Sequence, residues 1–315
     1  MAALISLIVR RGIGAGSMFA DKRIAGKCCL ILFSCVCLGF VQAAGERDTT
    51  EVPIEIAGNI VLAPVSVNGS EELLFIVDSG ASETILVPAA AERLGVRCSG
   101  GTAGMKRATL GSLAAGAVSV RNLGVMVFEP VQALPLRLDS GVNYQGILGY
   151  SFLSKFAVTI DYQRMTLRLV RSDDAERPVP DRNGANVVKF FLSGRIPVLP
   201  VSLNGRPAMN FWLDTGSAEV VVFPAEAESA GIRALSSDGP KGFRFGFAER
   251  MQVGGASASD VPVVIANLRR DGVGAGSVHG ILGYPFLSRF RVTLNYRERI
   301  LVLEEYAKQS AQPDE

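Results

Sequence analysis

Phe75-Ile-Val-Asp-Ser-Gly-Ala81 and Phe211-Trp-Leu-Asp-Thr-Gly-Ser217 are two versions of one heptapeptide, 136 positions apart. In each, a short apolar run enters an Asp–hydroxyl–Gly triplet. A second apolar run then follows, Ile85-Leu-Val87 in one copy and Val220-Val-Val-Phe223 in the other. Asp, Ser, Thr and Gly are ordinary turn formers, so one such triplet carries little information. An aspartate wedged between apolar strands is costly to bury without a partner. Recurrence at a fixed place, with Ile-Leu-Gly downstream of each copy, is what gives the triplets weight.

The repeat extends well beyond the triplets. Ala63-Pro-Val-Ser-Val-Asn-Gly69 returns as Leu199-Pro-Val-Ser-Leu-Asn-Gly205, Pro88 as Pro224, and Gly95-Val-Arg97 as Gly231-Ile-Arg233, all at the same offset. Further on, Gly146-Ile-Leu-Gly-Tyr-Ser-Phe-Leu-Ser-Lys-Phe156 returns as Gly280-Ile-Leu-Gly-Tyr-Pro-Phe-Leu-Ser-Arg-Phe290 at an offset of 134, two residues having been lost between the motifs. The halves run over 51–170 and 187–304. Between them, 171–186 is polar, Pro-bearing and without hydrophobic period, a linker; 305–315 is a polar tail.

Each half reads as β structure. Val61–Val67 and Val198–Leu203 are β-branched, partly alternating runs that end at Asn-Gly, a dipeptide suited to a tight hairpin because both residues tolerate positive φ. Leu73–Val77 and Met209–Leu213 are the returning strands and lead straight into the aspartate triplets. Val158–Tyr162, Thr166–Val170, Val292–Tyr296 and Ile300–Leu303 are further strands. Only Ala89–Leu94 and Ala225–Ala230, each preceded by Pro, predict short helices. The expected fold is all-β, with two similar small barrels produced by internal duplication.

These motifs resemble the aspartic protease superfamily, and more closely its bacterial retropepsin-like members than pepsin. The resemblance rests on Ile76-Val-Asp-Ser-Gly-Ala81 with Gly146-Ile-Leu-Gly149, and on Trp212-Leu-Asp-Thr-Gly-Ser217 with Gly280-Ile-Leu-Gly283. It implies two lobes about a pseudo-two-fold axis, with Asp78 and Asp214 as the catalytic pair. Ser79, Gly80, Thr215, Gly216 and Ser217 would support the loops, the two hydroxyls at 79 and 215 bonding across the lobes. Ile147, Leu148, Gly149, Ile281, Leu282 and Gly283 would form the strands above them. The implied substrates are extended peptides, and the two lobes would pair within one monomeric chain; pairing between chains is the alternative.

Carboxylates about 3 Å apart cannot both ionise, so such a pair shares a proton. The charged member can then deprotonate a water while the neutral one polarises a carbonyl. Ser217 stands where the first copy has Ala81, so a hydroxyl beside Asp214 is expected to hold charge there and leave the proton on Asp78. Retropepsins often carry an acidic residue two places after the loop glycine and an Arg after the second motif. Here those places hold Ser82, Ala218, Tyr150 and Tyr284, so that buttressing ion pair is not expected. Glu83 and Glu219 recur and are either loop supports or solvated charges. Flap candidates are Ser99–Gly104 and Ser237–Gly242, with plain surface turns as the alternative reading.

The remaining composition narrows the function. Arg10, Arg11, Lys22, Arg23 and Lys27 precede an apolar run from Cys28 to Val41 and the small residues Ala43 and Ala44, the layout of a secretory signal over 1–43. Met18 would give it a more ordinary start, and an uncleaved anchor is the alternative, for which the run is short. The protein is thus expected to be exported, periplasmic or secreted. Residues 44–315 carry 27 basic and 29 acidic side chains, which leaves no basic excess for nucleic acid. Four of five cysteines lie in the apolar run, so Cys98 is left without an intramolecular partner. With a single histidine, His279, and no G-x-S-x-G elbow, a serine triad lacks its parts. The chain after the signal contains no metal-ligand motif, and Gly272-Val-Gly-Ala-Gly276 matches no nucleotide loop. No cofactor is expected. A silent peptide-binding protein with the same cleft is the rival reading.

Overall fold

The computed structural model describes residues 48–101, 104–129, 143–172, 186–235, 243–267 and 278–307. The expected signal, most of the linker and the last eight residues lie outside this set, as do Ser237–Gly242 and Gly272–Gly276.

The first half contributes β1 (Thr49–Pro53), β2 (Glu55–Ala57), β3 (Ile60–Val67), β4 (Leu73–Val77), β5 (Ile85–Leu86), α1 (Pro88–Arg93), β6 (Cys98–Ser99), β7 (Lys106–Ala115), β8 (Val118–Val127), β9 (Gly146–Leu148), α2 (Tyr150–Leu153), β10 (Phe156–Asp161) and β11 (Thr166–Arg171). The second half repeats the order with β12 (Asn186–Lys189), β13 (Phe191–Ser193), β14 (Ile196–Leu203), β15 (Met209–Leu213), β16 (Val220–Val222), α3 (Pro224–Ser229), β17 (Arg244–Val253), β18 (Ala256–Ile265), β19 (Gly280–Leu282), α4 (Tyr284–Leu287), β20 (Phe290–Asn295) and β21 (Ile300–Glu305). The Asn-Gly dipeptides form the expected turns, with positive φ at Asn68, Gly69, Asn204 and Gly205. The helices opened by Pro88 and Pro224 form as read, whereas the single-turn α2 and α4 after Ile-Leu-Gly were not legible.

Each half closes into a six-stranded barrel. In the first, the ring runs β3-β4-β9-β5-β8-β7 and is closed by β3–β7 pairing; in the second, β14-β15-β19-β16-β18-β17 is closed by β14–β17. Alternation sends Phe75, Leu86 and Leu148, and likewise Phe211, Val222 and Leu282, into dry interiors. Gly146 and Gly280 begin β9 and β19 because a Cβ there would come within 2.2 Å and 2.4 Å of the Phe75 and Phe211 rings.

The strands that end each half do not join its barrel. They build a third sheet of six strands, β1-β11-β10-β20-β21-β12, three from each half. The seam is antiparallel pairing of β10 with β20, in register Ala157↔Asn295, Val158↔Leu294, Thr159↔Thr293 and Ile160↔Val292. Only Thr159 and Thr293 face their own counterpart, so the pseudo-two-fold axis passes between them. Their hydroxyls meet at 2.8 Å in a buried setting. Removing one hydroxyl strands the other. Thr159→Val or Thr293→Val alone should cost about 1–3 kcal/mol of stability, and the double variant much less. Chemical denaturation of all four proteins checks this, and additive single costs would refute it.

Candidate active site

Asp78 and Asp214 follow directly on β4 and β15, one of the central strands of each barrel. Since Val77 and Leu213 point inward, the aspartates point outward, towards the space between the barrels. The Ile-Leu-Gly strands clamp these loops. Asp78 N–H donates to Leu148 O and Asp214 N–H to Leu282 O, both at 3.1 Å. Beyond each glycine, Tyr150 N–H donates to Ala81 O at 2.9 Å and Tyr284 N–H to Ser217 O at 3.0 Å. A Cβ on Gly149 or Gly283 would lie 2.1 Å from the carbonyl oxygen of Glu83 or Glu219, so loop and strand approach this closely only at glycine. Ile147 and Ile281 sit on the outer face, packed beside Ile76 and Trp212.

The two loops grip each other through Ser79 and Thr215. Ser79 N–H donates to Thr215 Oγ1 (3.0 Å), and Thr215 N–H donates to Ser79 Oγ (3.0 Å). Each hydroxyl passes its own proton on across the lobes, Ser79 Oγ to Leu213 O (2.9 Å) and Thr215 Oγ1 to Val77 O (2.8 Å). Four buried cross-lobe hydrogen bonds thus lie under the carboxylates, worth about 1 kcal/mol each. Any larger residue at the loop glycines would break this arrangement. A Cβ on Gly80 would stand 2.5 Å from Asp214 Cγ, and one on Gly216 would stand 2.6 Å from Asp78 Cγ. Each half's glycine therefore makes room for the other half's carboxylate.

Burial, then the Asp214 charge beside it, raises the Asp78 carboxyl well above the ordinary range. Burial raises Asp214 too, opposed by hydrogen bonding from Asp78 and from the Gly216 and Ser217 backbone. The geometry agrees: Gly216 N–H donates to Asp214 Oδ1 at 2.9 Å, whereas Asp78 Oδ1 is buried without a hydrogen-bond partner. Burial and the neighbouring charge therefore favour the proton on Asp78, and the Ser217 hydroxyl has no part in it. The Ser217 hydroxyl donates to Glu219 O at 2.8 Å, within its own loop. In the first half, Thr84 does the equivalent bracing: its Oγ1 accepts from Gly149 N–H (3.3 Å) and from Ser151 Oγ (2.9 Å). Thr84 and Ser151 went unnoticed because their counterparts, Val220 and Pro285, carry no hydroxyl.

The places that distinguish this chain from retropepsins are filled by cross-lobe packing. Tyr150 meets Tyr296 edge-to-face at 5.2 Å, and Tyr284 meets Tyr162 likewise at 5.6 Å, each pair joining the two halves. A different ion pair crosses the lobes: Arg195 of the second half bonds Glu83 of the first and stacks over the Tyr150 ring, 5.5 Å from its centre. Asn59 occupies the position equivalent to Arg195, and its amide donates to Ala218 O at 3.3 Å. His279 directly precedes β19, and its Nδ1 lies 2.7 Å from Glu226 Oε1 on α3. Of the flap candidates, Cys98 and Ser99 pair with Ala108 and Arg107, while residues 102 and 103 and Ser237–Gly242 lie outside the described residues. Among the described residues no group of three or more His, Cys, Asp or Glu side chains is placed to hold a metal ion.

Two outcomes follow from the charge distribution. Carboxyl NMR across the acid range should show Asp78 keeping its proton after Asp214 has ionised; the reverse order would refute the assignment. A carboxyl pKa raised by folding favours the protonated fold. Its stability is full below the unfolded value of about 3.9 and declines as pH rises through the folded value. Asp78→Asn should therefore melt above the wild type at pH 7 and not at pH 3, read by calorimetry.

Comparison with known proteins agrees with this geometry. Among solved structures the chain is similar to an aspartic proteinase from Irpex lacteus, with a TM-score of 0.53 over 84% of this chain and 100% of that one. Identity is 12%, so the likeness is one of fold. No curated protein matches the chain. A profile described as aspartyl protease matches twice, at residues 63–152 and 199–286, once for each aspartate loop and its Ile-Leu-Gly strand. With more than half of its residues matched in two copies, the chain belongs to the aspartyl protease family.

Proposed function

We propose that this protein is an aspartic endopeptidase in which Asp78 and Asp214 activate one water between them. The observation that carries the reading is the reciprocal Ser79–Thr215 exchange beneath the buried Asp78 and half-buried Asp214 carboxylates. Asp214, ionised, takes a proton from the water. Asp78, protonated, donates towards the carbonyl oxygen of the scissile peptide. The tetrahedral intermediate collapses as Asp214 passes the water proton to the amide nitrogen and Asp78 recovers its own from the carbonyl-derived hydroxyl, so the C–N bond breaks, the pair returns to its starting state and no covalent enzyme intermediate forms. Peptides would bind extended between the barrels. We also propose export with loss of residues 1–43, and activity as a monomer, since the tether makes pairing of the halves intramolecular.

The test uses the chain from Ala44 onward and an unfolded protein substrate. Cleavage should follow a bell in pH, its acid limb set by protonation of the second carboxyl and its alkaline limb by loss of the proton shared by the pair. Asp78→Asn and Asp214→Asn should each lower kcat by about 10²–10⁴-fold or more. No cleavage by the wild type at any pH from 3 to 7 would favour the silent peptide binder. Gly80→Ala, which pushes the Asp214 carboxylate aside without changing any ionisable group, should reduce kcat by about 100-fold while the fold persists. Unchanged turnover in that variant would show that the close approach is dispensable.

A further inference from the structure

Tyr296 directly follows β20, the strand that pairs with β10 at the seam of the shared sheet. It is buried, and its ring packs edge-to-face against two others, Tyr150 at 5.2 Å and Phe190 at 6.1 Å. Tyr150 is itself fixed to the Asp78 loop. Its N–H donates to Ala81 O, and Leu148, two residues earlier, accepts from Asp78 N–H. Tyr296 thus stands against the base of that loop, with Tyr150 as the contact. The ring packing alone would suit phenylalanine equally well. The hydroxyl needs a separate account, because Tyr296 Oη is buried and has no hydrogen-bond partner, a cost that phenylalanine avoids.

The titratable groups that face this hydroxyl are Asp78, Tyr150 and Asp214. Beyond Tyr150 lie Arg195 and Glu83, paired with each other. Burial first, then Asp78, Tyr150 and Asp214 in that order, raises the Tyr296 phenol well above its ordinary value, so it keeps its proton wherever a carboxyl pair could work. Tyr162 holds the equivalent place in the first half, at the offset of 134. Its hydroxyl too is buried without a partner, but the groups that act on it are Tyr306 and Tyr284. Tyr306 stands where the first half has Ser172; its hydroxyl accepts from Tyr162 N–H at 2.9 Å and donates to Phe290 O at 3.1 Å. Of two equivalent tyrosines, one is directed to the carboxylates.

A hydroxyl that no acceptor holds is free to turn about its C–O bond, and its dipole follows the strongest local field. In surroundings of low dielectric, the charge of the aspartate pair supplies that field. We propose that Tyr296 is a positioning residue of the pair: its hydroxyl turns its hydrogen towards the shared negative charge and eases the loss of the second proton. The proposal rests on the peptidase reading above and adds to it a residue that sets the working range of the site. Burial and mutual repulsion push both carboxyls towards their protonated forms, and the Tyr296 dipole opposes them. Asp78 acts on the hydroxyl more strongly than Asp214, so the ionisation it favours most is that of Asp78.

The experiment compares the wild type with Tyr296→Phe, with the mirror control Tyr162→Phe, and with 3-fluorotyrosine placed at 296 alone. Each protein is titrated by NMR of labelled aspartate carboxyls, and each is assayed for cleavage of an unfolded protein across pH. Tyr296→Phe removes a hydroxyl without a partner and leaves the ring packing, so it should melt no lower than the wild type. In it, the last ionisation of the pair and the alkaline limb of cleavage should both move up by about 0.5–1 pH unit, with KM unchanged. The fluorinated phenol is the stronger donor and should move both down. Tyr162→Phe should leave both in place. A wild-type titration in Tyr296→Phe, or an equal shift in Tyr162→Phe, would overturn the proposal, since packing alone predicts either. If Tyr296→Phe does not fold, the fluorotyrosine protein decides: a downward shift supports the role, and no shift or an upward one overturns it. If the wild type cleaves nothing, the carboxyl titration still decides Tyr296, and the missing cleavage counts against the peptidase reading alone.

Discussion

Two carboxylates held side by side, Asp78 buried and Asp214 half-buried, repel each other and lose hydration, and the rest of this molecule is arranged around that cost. The hydrogen bonds exchanged between Ser79 and Thr215 hold the loops together from beneath. Because donors and acceptors are both satisfied within the grip, it brings no further unpaired polar group into the interface. The shared sheet, the paired tyrosines and the Arg195–Glu83 contact all act in the same direction, fixing one half against the other so that the carboxylates stay apposed.

The duplication has kept what lies near the axis and let the periphery diverge. Ser79 and Thr215 are interchangeable as hydroxyl donors, and Gly80 and Gly216 make the same space. One shell outward, loop bracing falls to Thr84 and Ser151 in one half and to Ser217 in the other. Different residues thus solve the same problem of an unsatisfied loop backbone. On the equivalent strands β7 and β17 the two halves no longer share even polarity, with Arg107 in one and Phe245 in the other.

The barrels and their aspartate loops were legible because duplication doubles every local signal, and Asn-Gly turns and Ile-Leu-Gly strands keep their spacing. The shared sheet was not. Its central strand Phe156–Asp161 is buried along its whole length, so it shows no alternation that would tell a barrel strand from an interlobe one. Its partner lies in the other half, at a separation no local pattern encodes. Arg195 was missed for a related reason: its equivalent is Asn59, so a search for recurring residues passes over it although both reach across to the opposite loop. The Ser217 hydroxyl was identified as asymmetric, yet its direction depends on the loop carbonyls around it, which residue identity does not specify.

Thr159 facing Thr293 and Ser79 facing Thr215 are both contacts between equivalent residues, so both lie on the pseudo-dyad, one in the shared sheet and one in the loops. Two pinned points define a shaft. The two pins block hinge-like gaping, and the paired tyrosines and the Arg195–Glu83 contact, standing off the shaft, block rotation about it. The lobes then behave as one body under load.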